Sequence, residues 1–240
     1  MIAAAIDKIL SLGQPLTVKV NNEDYSTLPL KRVNKELRAE ELEVATLSSL
    51  VDYIHCFNQD MKDTKYIVHI VTPTRVELIS SLDSDRERET LMVVNAEVPK
   101  IPFGMYIDNE KMIITVQSMF LNDPKTDRDA ILKFAGTVTC GSIKEYGDDG
   151  VTQKAIIKQG VASKAEAIVP SPCVLRPFRT FREVEQPAST FIFRMRDGAR
   201  EIVESAIFEA DGGEWRNEAR ENIRVYLEER LAGTGVTVIA

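Results

Sequence analysis

Apolar residues recur at helical spacing in four parts of the chain and alternate with polar ones through much of the rest. Ile2, Ile6, Ile9 and Leu10 share one face of a short amphipathic helix at the N-terminus. Behind Thr46, a residue suited to capping a helix start, Leu47, Leu50, Val51, Ile54 and Phe57 predict a helix ending near Asn58. A third helix is expected over "DPKTDRDAILKFAGTV". Pro124 takes an early helical position there, and Ile131, Leu132, Ala135 and Val138 form the apolar face. The last and longest follows "DGG" at 211–213, with Trp215, Ala219, Ile223, Tyr226, Leu227 and Leu231 on one side and Gly233 and Gly235 ending it.

Strand signals fill the intervals. "LTVKV" (16–20) alternates, with turn chemistry at Asn21-Asn22. "KYIVHIV" (65–71), "RVELISSL" (75–82) and "TLMVVNAEV" (90–98) form an antiparallel meander rich in β-branched residues. "MIITVQSMF" reads as a buried strand, with a helix starting after Asp108 as the alternative. "YGDDGVTQKAIIKQGV" is a turn leading into a strand, and the prolines of "AEAIVPSPCVLRPF" suit an edge. In "TFIFRMRDG", Phe191, Phe193 and Met195 fall on one side, with Ile192, Arg194 and Arg196 on the other. Asp197-Gly198 turns the chain back into "REIVESAIFEA". "VTVIA" closes the chain as a terminal strand.

These elements add up to an α+β fold with mostly antiparallel sheet, three or four helices, a C-terminal amphipathic helix and a terminal strand. Without a strictly alternating βαβ rhythm a Rossmann-like arrangement is not expected. One compact domain over 1–240 is expected, with a candidate subdomain junction at "PKIPFG" (99–104).

Composition narrows the function classes. Hydrophobic content of 44% and charged content of 28% are globular values. Apolar runs such as "MIITV" are too short to span a membrane, and the N-terminus does not read as a secretory signal. Cys56, Cys140 and Cys173 are odd in number and far apart, which fits a reducing cytoplasm. With only His55 and His69 beside them and no close ligand pair, no metal site and no cofactor are expected. P-loop, GxGxxG, HExxH and GxSxG motifs are missing, so no catalytic residues are assigned. The net charge is −7, yet residues 121–200 are net positive.

That basic third contains "RPFRTFREVEQPASTFIFRMRDG" (176–198), the most distinctive segment of the chain. Arg176, Arg179, Arg182, Arg194 and Arg196 are interleaved with Phe178, Phe181, Phe191 and Phe193. Such a set can grip phosphate while its aromatics stack bases. It can equally be a sheet whose phenylalanines pack inward while its arginines pair with Glu183, Glu185 or a neighbouring subunit. The segment is assigned first to an interface and second to an anionic ligand. Carboxylates at Asp148-Asp149, Glu183, Glu185 and Asp211 are what a metal-dependent nuclease would use, although aspartate before glycine is ordinary turn chemistry.

The order of "FNQD…VHIVTPTRVEL", "PFGMYIDNEKMIITVQSMF", "DDGVTQKAIIKQG", "RPFRTFREVEQPASTFIFR" and "FEADGGEW" resembles the YfdQ-like family, a domain of unknown function encoded mainly by bacteriophages and prophages. The likeness runs from about residue 16 to residue 231, with "PFRTFREVEQP" and "FEADGGEW" its most specific blocks. It brings no site residues. It implies a phage gene expressed in a bacterial cytoplasm. The expected function is therefore a non-enzymatic, homo-oligomeric accessory protein in phage DNA metabolism or counter-defence, its terminal strand available for exchange. A binder of single-stranded nucleic acid or a nucleotide signal, and a metal-dependent nuclease or phosphatase, are the alternatives.

Overall fold

The structure is a computed structural model and describes residues 2–13, 17–20, 23–26, 38–61, 65–83, 86–138, 143–148, 153–159, 163–168, 170–198 and 202–240. Two compact units divide the chain, Met1–Arg38 and Ala39–Ala240. The first holds the expected amphipathic helix α1 (Ile2–Leu12) and an antiparallel hairpin of β1 (Thr17–Val20) and β2 (Glu23–Ser26). The Asn21-Asn22 turn lies outside the described residues.

The second unit begins with β3 (Leu42–Val44) and α2 (Leu47–Cys56), followed by β4 (Tyr66–Thr72), β5 (Arg75–Ser80) and β6 (Thr90–Asn95). The hydroxyl of Thr46 accepts the Ser49 N–H at 3.2 Å, so α2 starts where the sequence places it. After these come β7 (Ile107–Asp108), α3 (Asn109–Met119) and α4 (Arg128–Thr137). A three-stranded antiparallel sheet is built from β8 (Ile143–Asp148), β9 (Gln153–Gln159) and β10 (Ser163–Ile168). The chain ends with β11 (Cys173–Leu175), β12 (Ser189–Asp197), β13 (Val203–Glu209), α5 (Trp215–Arg230) and β14 (Thr237–Ile239). The fold is α+β, with five α-helices among the described residues. No helix among them is long and apolar enough to cross a membrane.

Two cores organise this unit. The first lies on a five-stranded sheet of order β14-β4-β5-β6-β3, where the expected meander forms the antiparallel centre and both edge strands pair in parallel. Val68, Ile70, Val76 and Leu78 pack there with Leu50 and Ile54 of α2 and Ile223 and Leu227 of α5. The second core lies on the antiparallel sheet β11-β12-β13-β7. Phe191, Phe193 and Met195 point inward as the alternation requires, against Met112 and Val116 of α3 and Ile131 and Phe134 of α4. Residues 99–104 connect the strands of the first core to those of the second, inside the second unit.

Three expectations need revision. Residues 112–119 form helix α3 and not a buried strand, so the alternative start after Asp108 is the one adopted. The β-branched run Ile113–Val116 mimics a strand. The Asp108 carboxylate, however, accepts the Lys111 N–H at 2.9 Å and caps a helix whose Met112 and Val116 share one buried face. Pro124 precedes α4, which begins only at Arg128. The terminal strand β14 is already paired with β4 of its own chain, and in that pairing it is not free for exchange.

Candidate functional site

The arginine–phenylalanine segment is strand only from Ser189 onward; residues 176–186 form a packed irregular loop joining the two cores. The Arg176 carbonyl accepts the Leu121 N–H at 2.7 Å, and the Phe178 N–H donates to the Met119 carbonyl at 2.9 Å, which ties the loop to the end of α3. From Arg179 onward the backbone folds around the side chain of Gln186. Its Oε1 accepts the N–H groups of Arg179 at 3.0 Å and Thr180 at 3.3 Å. Its Nε2 donates to the carbonyls of Phe181 at 2.8 Å and Val184 at 3.3 Å. A buried amide thus satisfies four main-chain groups that have no ladder to join.

The two sides of this loop face different surroundings. Phe181 is 1% exposed and enters the first core with Val184, while the Thr180 hydroxyl donates to the Pro73 carbonyl at 2.5 Å. Arg179, only 6% exposed, turns toward β12 and β13. Its guanidinium pairs with Glu209 at 2.8 Å, donates to the Ser189 hydroxyl and lies 4.0 Å from Asp211. One face stacks over Trp215 at 4.1 Å from the ring centroid, and Phe191 lies 5.7 Å away. The two blocks "PFRTFREVEQP" and "FEADGGEW" therefore meet at one buried cation.

The turn that presents Asp211 and Trp215 depends on glycine. Gly212 and Gly213 have φ of +63° and +85°, a region that L side chains rarely adopt, and the Gly213 N–H donates to Asp211 at 3.0 Å. Burial pushes the Arg179 guanidinium down to about 10, against the pull of Glu209 and Asp211, so it stays charged at neutral pH. Burial alone would raise the Asp211 carboxyl. Hydrogen bonds from Ser189 and Gly213, together with the Arg179 charge, outweigh it and hold the group below its ordinary value.

That depression has a sign that can be measured. The unfolded chain takes up the Asp211 proton first, so stability rises with pH across this titration and is lost as pH falls through the folded-state value. Urea midpoints of the wild type should fall on acidification below about pH 4, the ordinary aspartate range. Asp211→Asn should remove that part of the slope.

The remaining sequence candidates are distributed over the unit. Arg176 pairs with Glu185 at 2.6 Å and Asp123 at 3.2 Å. Arg182 lies over Phe178 at 4.8 Å. Arg196 pairs with Glu204 at 2.8 Å and covers Tyr106 at 4.0 Å, and Arg194 is partly buried on the same strand. Arg179 and Phe181, assigned to an interface or an anionic ligand, are buried within this unit. Glu183 and Glu185 do not share a strand face: Glu183 accepts the Ser48 N–H at 3.4 Å, while Glu185 holds Arg176.

A cleft of about 330 Å³ opens beside the Arg179 node, lined by Ser189, Thr190, Asp211, Glu214, Trp215 and Glu218 among others. Its carboxylates give the opening an acidic wall, the opposite of what a phosphate would require. Asp149 and Cys140, and the side chain of Asp148, lie outside the described residues. Among the described residues no three His, Cys, Asp or Glu side chains converge on a metal position. His55 contacts the Arg230 carbonyl at 3.0 Å, and His69 sits opposite Glu77 in the sheet. Cys173 is buried, its thiol pushed up to about 12 by desolvation and by the nearby Asp127 charge, which makes it a poor nucleophile. Pattern reasoning missed Gln186 and Ser189 as partners. The available signal was a single tryptophan and a glutamine between two charged, proline-bounded runs.

No family model, no curated protein and no solved structure matches this chain.

Proposed function

We propose that the protein is a non-enzymatic, self-associating accessory protein, of the phage- or prophage-encoded kind that the YfdQ-like resemblance implies, acting in phage DNA metabolism or counter-defence. The supporting observation is what the surface offers once three of the five arginines of 176–196 have been matched by carboxylates of their own chain. Arg176, Arg179 and Arg196 are held by carboxylates of their own chain, and the nearest cleft is acidic. Large apolar side chains remain exposed instead: Met105 at 60%, Ile114 at 56% and Ile239 at 42%. Association would remove such side chains from water.

Sedimentation velocity at micromolar concentration tests the claim. A species of at least twice the monomer mass is expected, not weakened by moderate salt, because the contacts are apolar and salt screens the repulsion of like-charged subunits. A monomer throughout would end this reading. Tight, strongly salt-dependent retention of single-stranded oligonucleotides would instead favour the nucleic-acid alternative.

A further inference from the structure

Each of the two larger sheets ends in two edge strands, and three of those four edges are closed. β3 lies in an acidic run, Glu40, Glu41 and Glu43, which repels an incoming strand of this acidic protein. β11 is clamped: the Val174 N–H donates to the Asp127 carboxylate at 2.7 Å, and the Val174 carbonyl accepts the Asp127 N–H at 2.9 Å. β7 is two residues long and runs directly into α3.

β14 differs from all three. Its outer side pairs with no described strand, and Val236–Ile239 carry neither charge nor proline. All four residues are β-branched, the class that favours strand pairing. Beside it a cleft of about 680 Å³ opens toward the end of α5, lined by Glu228, Leu231, Val236, Thr237 and Val238 among others. The outer side of β14 thus has no partner among the described strands, space next to it and no charge within Thr237–Ile239.

We infer that the open edge of β14 is a strand-addition site for β14 of a second copy, antiparallel across a two-fold axis, joining two five-stranded sheets into one of ten strands. This rests on the self-association proposed above and gives it a location. A two-fold axis through Val238 sets Val238 against the partner's Val238 and Thr237 against the partner's Ile239. Every cross-strand pair is then uncharged and β-branched. Two molecules of net charge −7 repel, and they approach with least cost at an edge that carries no charge of its own. The ladder alone is short. Because α5 packs on both β4 and β14, the axis also brings the two α5 helices together on one side of the joined sheet. That adds helix surface to three residues of backbone pairing.

The register provides the test. In Thr237→Lys/Ile239→Lys the introduced lysines face each other twice across the axis, and dimerisation should weaken by roughly 100-fold. In Thr237→Lys/Ile239→Glu each lysine meets a glutamate of the partner, and dimerisation should return. Thr237 is exposed and Ile239 is 42% exposed, so neither change enters the core. Circular dichroism and Trp215 fluorescence confirm that each variant is folded before it is sedimented. Dimers in the wild type and in both variants would refute the β14 edge while leaving self-association standing. Two folded, monomeric variants beside a dimeric wild type would refute the register through Val238. A monomeric wild type would refute both proposals together.

Discussion

Replacing Arg179 with methionine is expected to lower the unfolding free energy by about 3 kcal/mol, read from urea denaturation with Trp215 fluorescence as the probe. The guanidinium is the shared partner of Glu209, Ser189 and Asp211, and its removal leaves carboxylates facing a site built for a cation. Broken buried ion pairs typically cost about 3–5 kcal/mol. The lower end applies because the Glu209 side chain is a third exposed and can turn to water, whereas Asp211 is 11% exposed and cannot. Arg179→Lys should recover only part of the loss. An ammonium can meet one carboxylate, but it lacks the planar fork that reaches Glu209 and Ser189 while lying flat on the indole. Loss of the neighbouring charge should also carry the Asp211 carboxyl back toward its ordinary value, so the share of the acid-induced stability loss that this group contributes should shrink.

Phe181→Ala and Arg182→Ala, adjacent in the chain, should differ several-fold in cost. Phe181 is fully buried in the first core, and removing a ring of that size leaves a cavity that costs about 3–5 kcal/mol. Arg182 is exposed and gives up only its contact with Phe178, a loss of about 0.5–1 kcal/mol. Chemical denaturation of the two variants decides the matter. Equal losses would mean that the loop does not anchor the first core in the way its packing indicates. Phe181 acts with Thr180, whose hydroxyl reaches Pro73 in the turn between β4 and β5, so the same short loop bonds to one sheet while its arginine bonds to the other.

Legibility in the sequence followed the range of the interactions involved. Where a face repeats within a few residues, pattern and structure agree. The alternation at Phe191, Phe193 and Met195 is a buried strand face, Thr46 caps α2, and Ala219, Ile223 and Leu227 mark the inner face of α5. The run Ile113–Val116 misleads because β-branched composition is a local preference, overridden here by the Asp108 cap and by packing of Met112 and Val116. The loop 176–186 has no period to read. Its backbone is satisfied by a single glutamine side chain, and no repeat announces that.

By itself the amino-acid sequence determined the α+β class, the antiparallel meander, the amphipathic ends and the absence of familiar catalytic motifs, all properties of hydrophobic periodicity and residue chemistry. Only the tertiary structure decided that Arg179 is an interior cation, because its partners Ser189, Glu209 and Asp211 come from elements 10 to 32 residues farther along, and burial follows from which strands pair. The same holds for β14. Its apolar, uncharged character is written in "VTVI", but which side pairs with β4 and which stays open depends on a parallel pairing between the end of the chain and residues 67–69. Local sequence sets what a strand can bond to; the order of strands in the sheet sets which of its edges has nothing bonded to it.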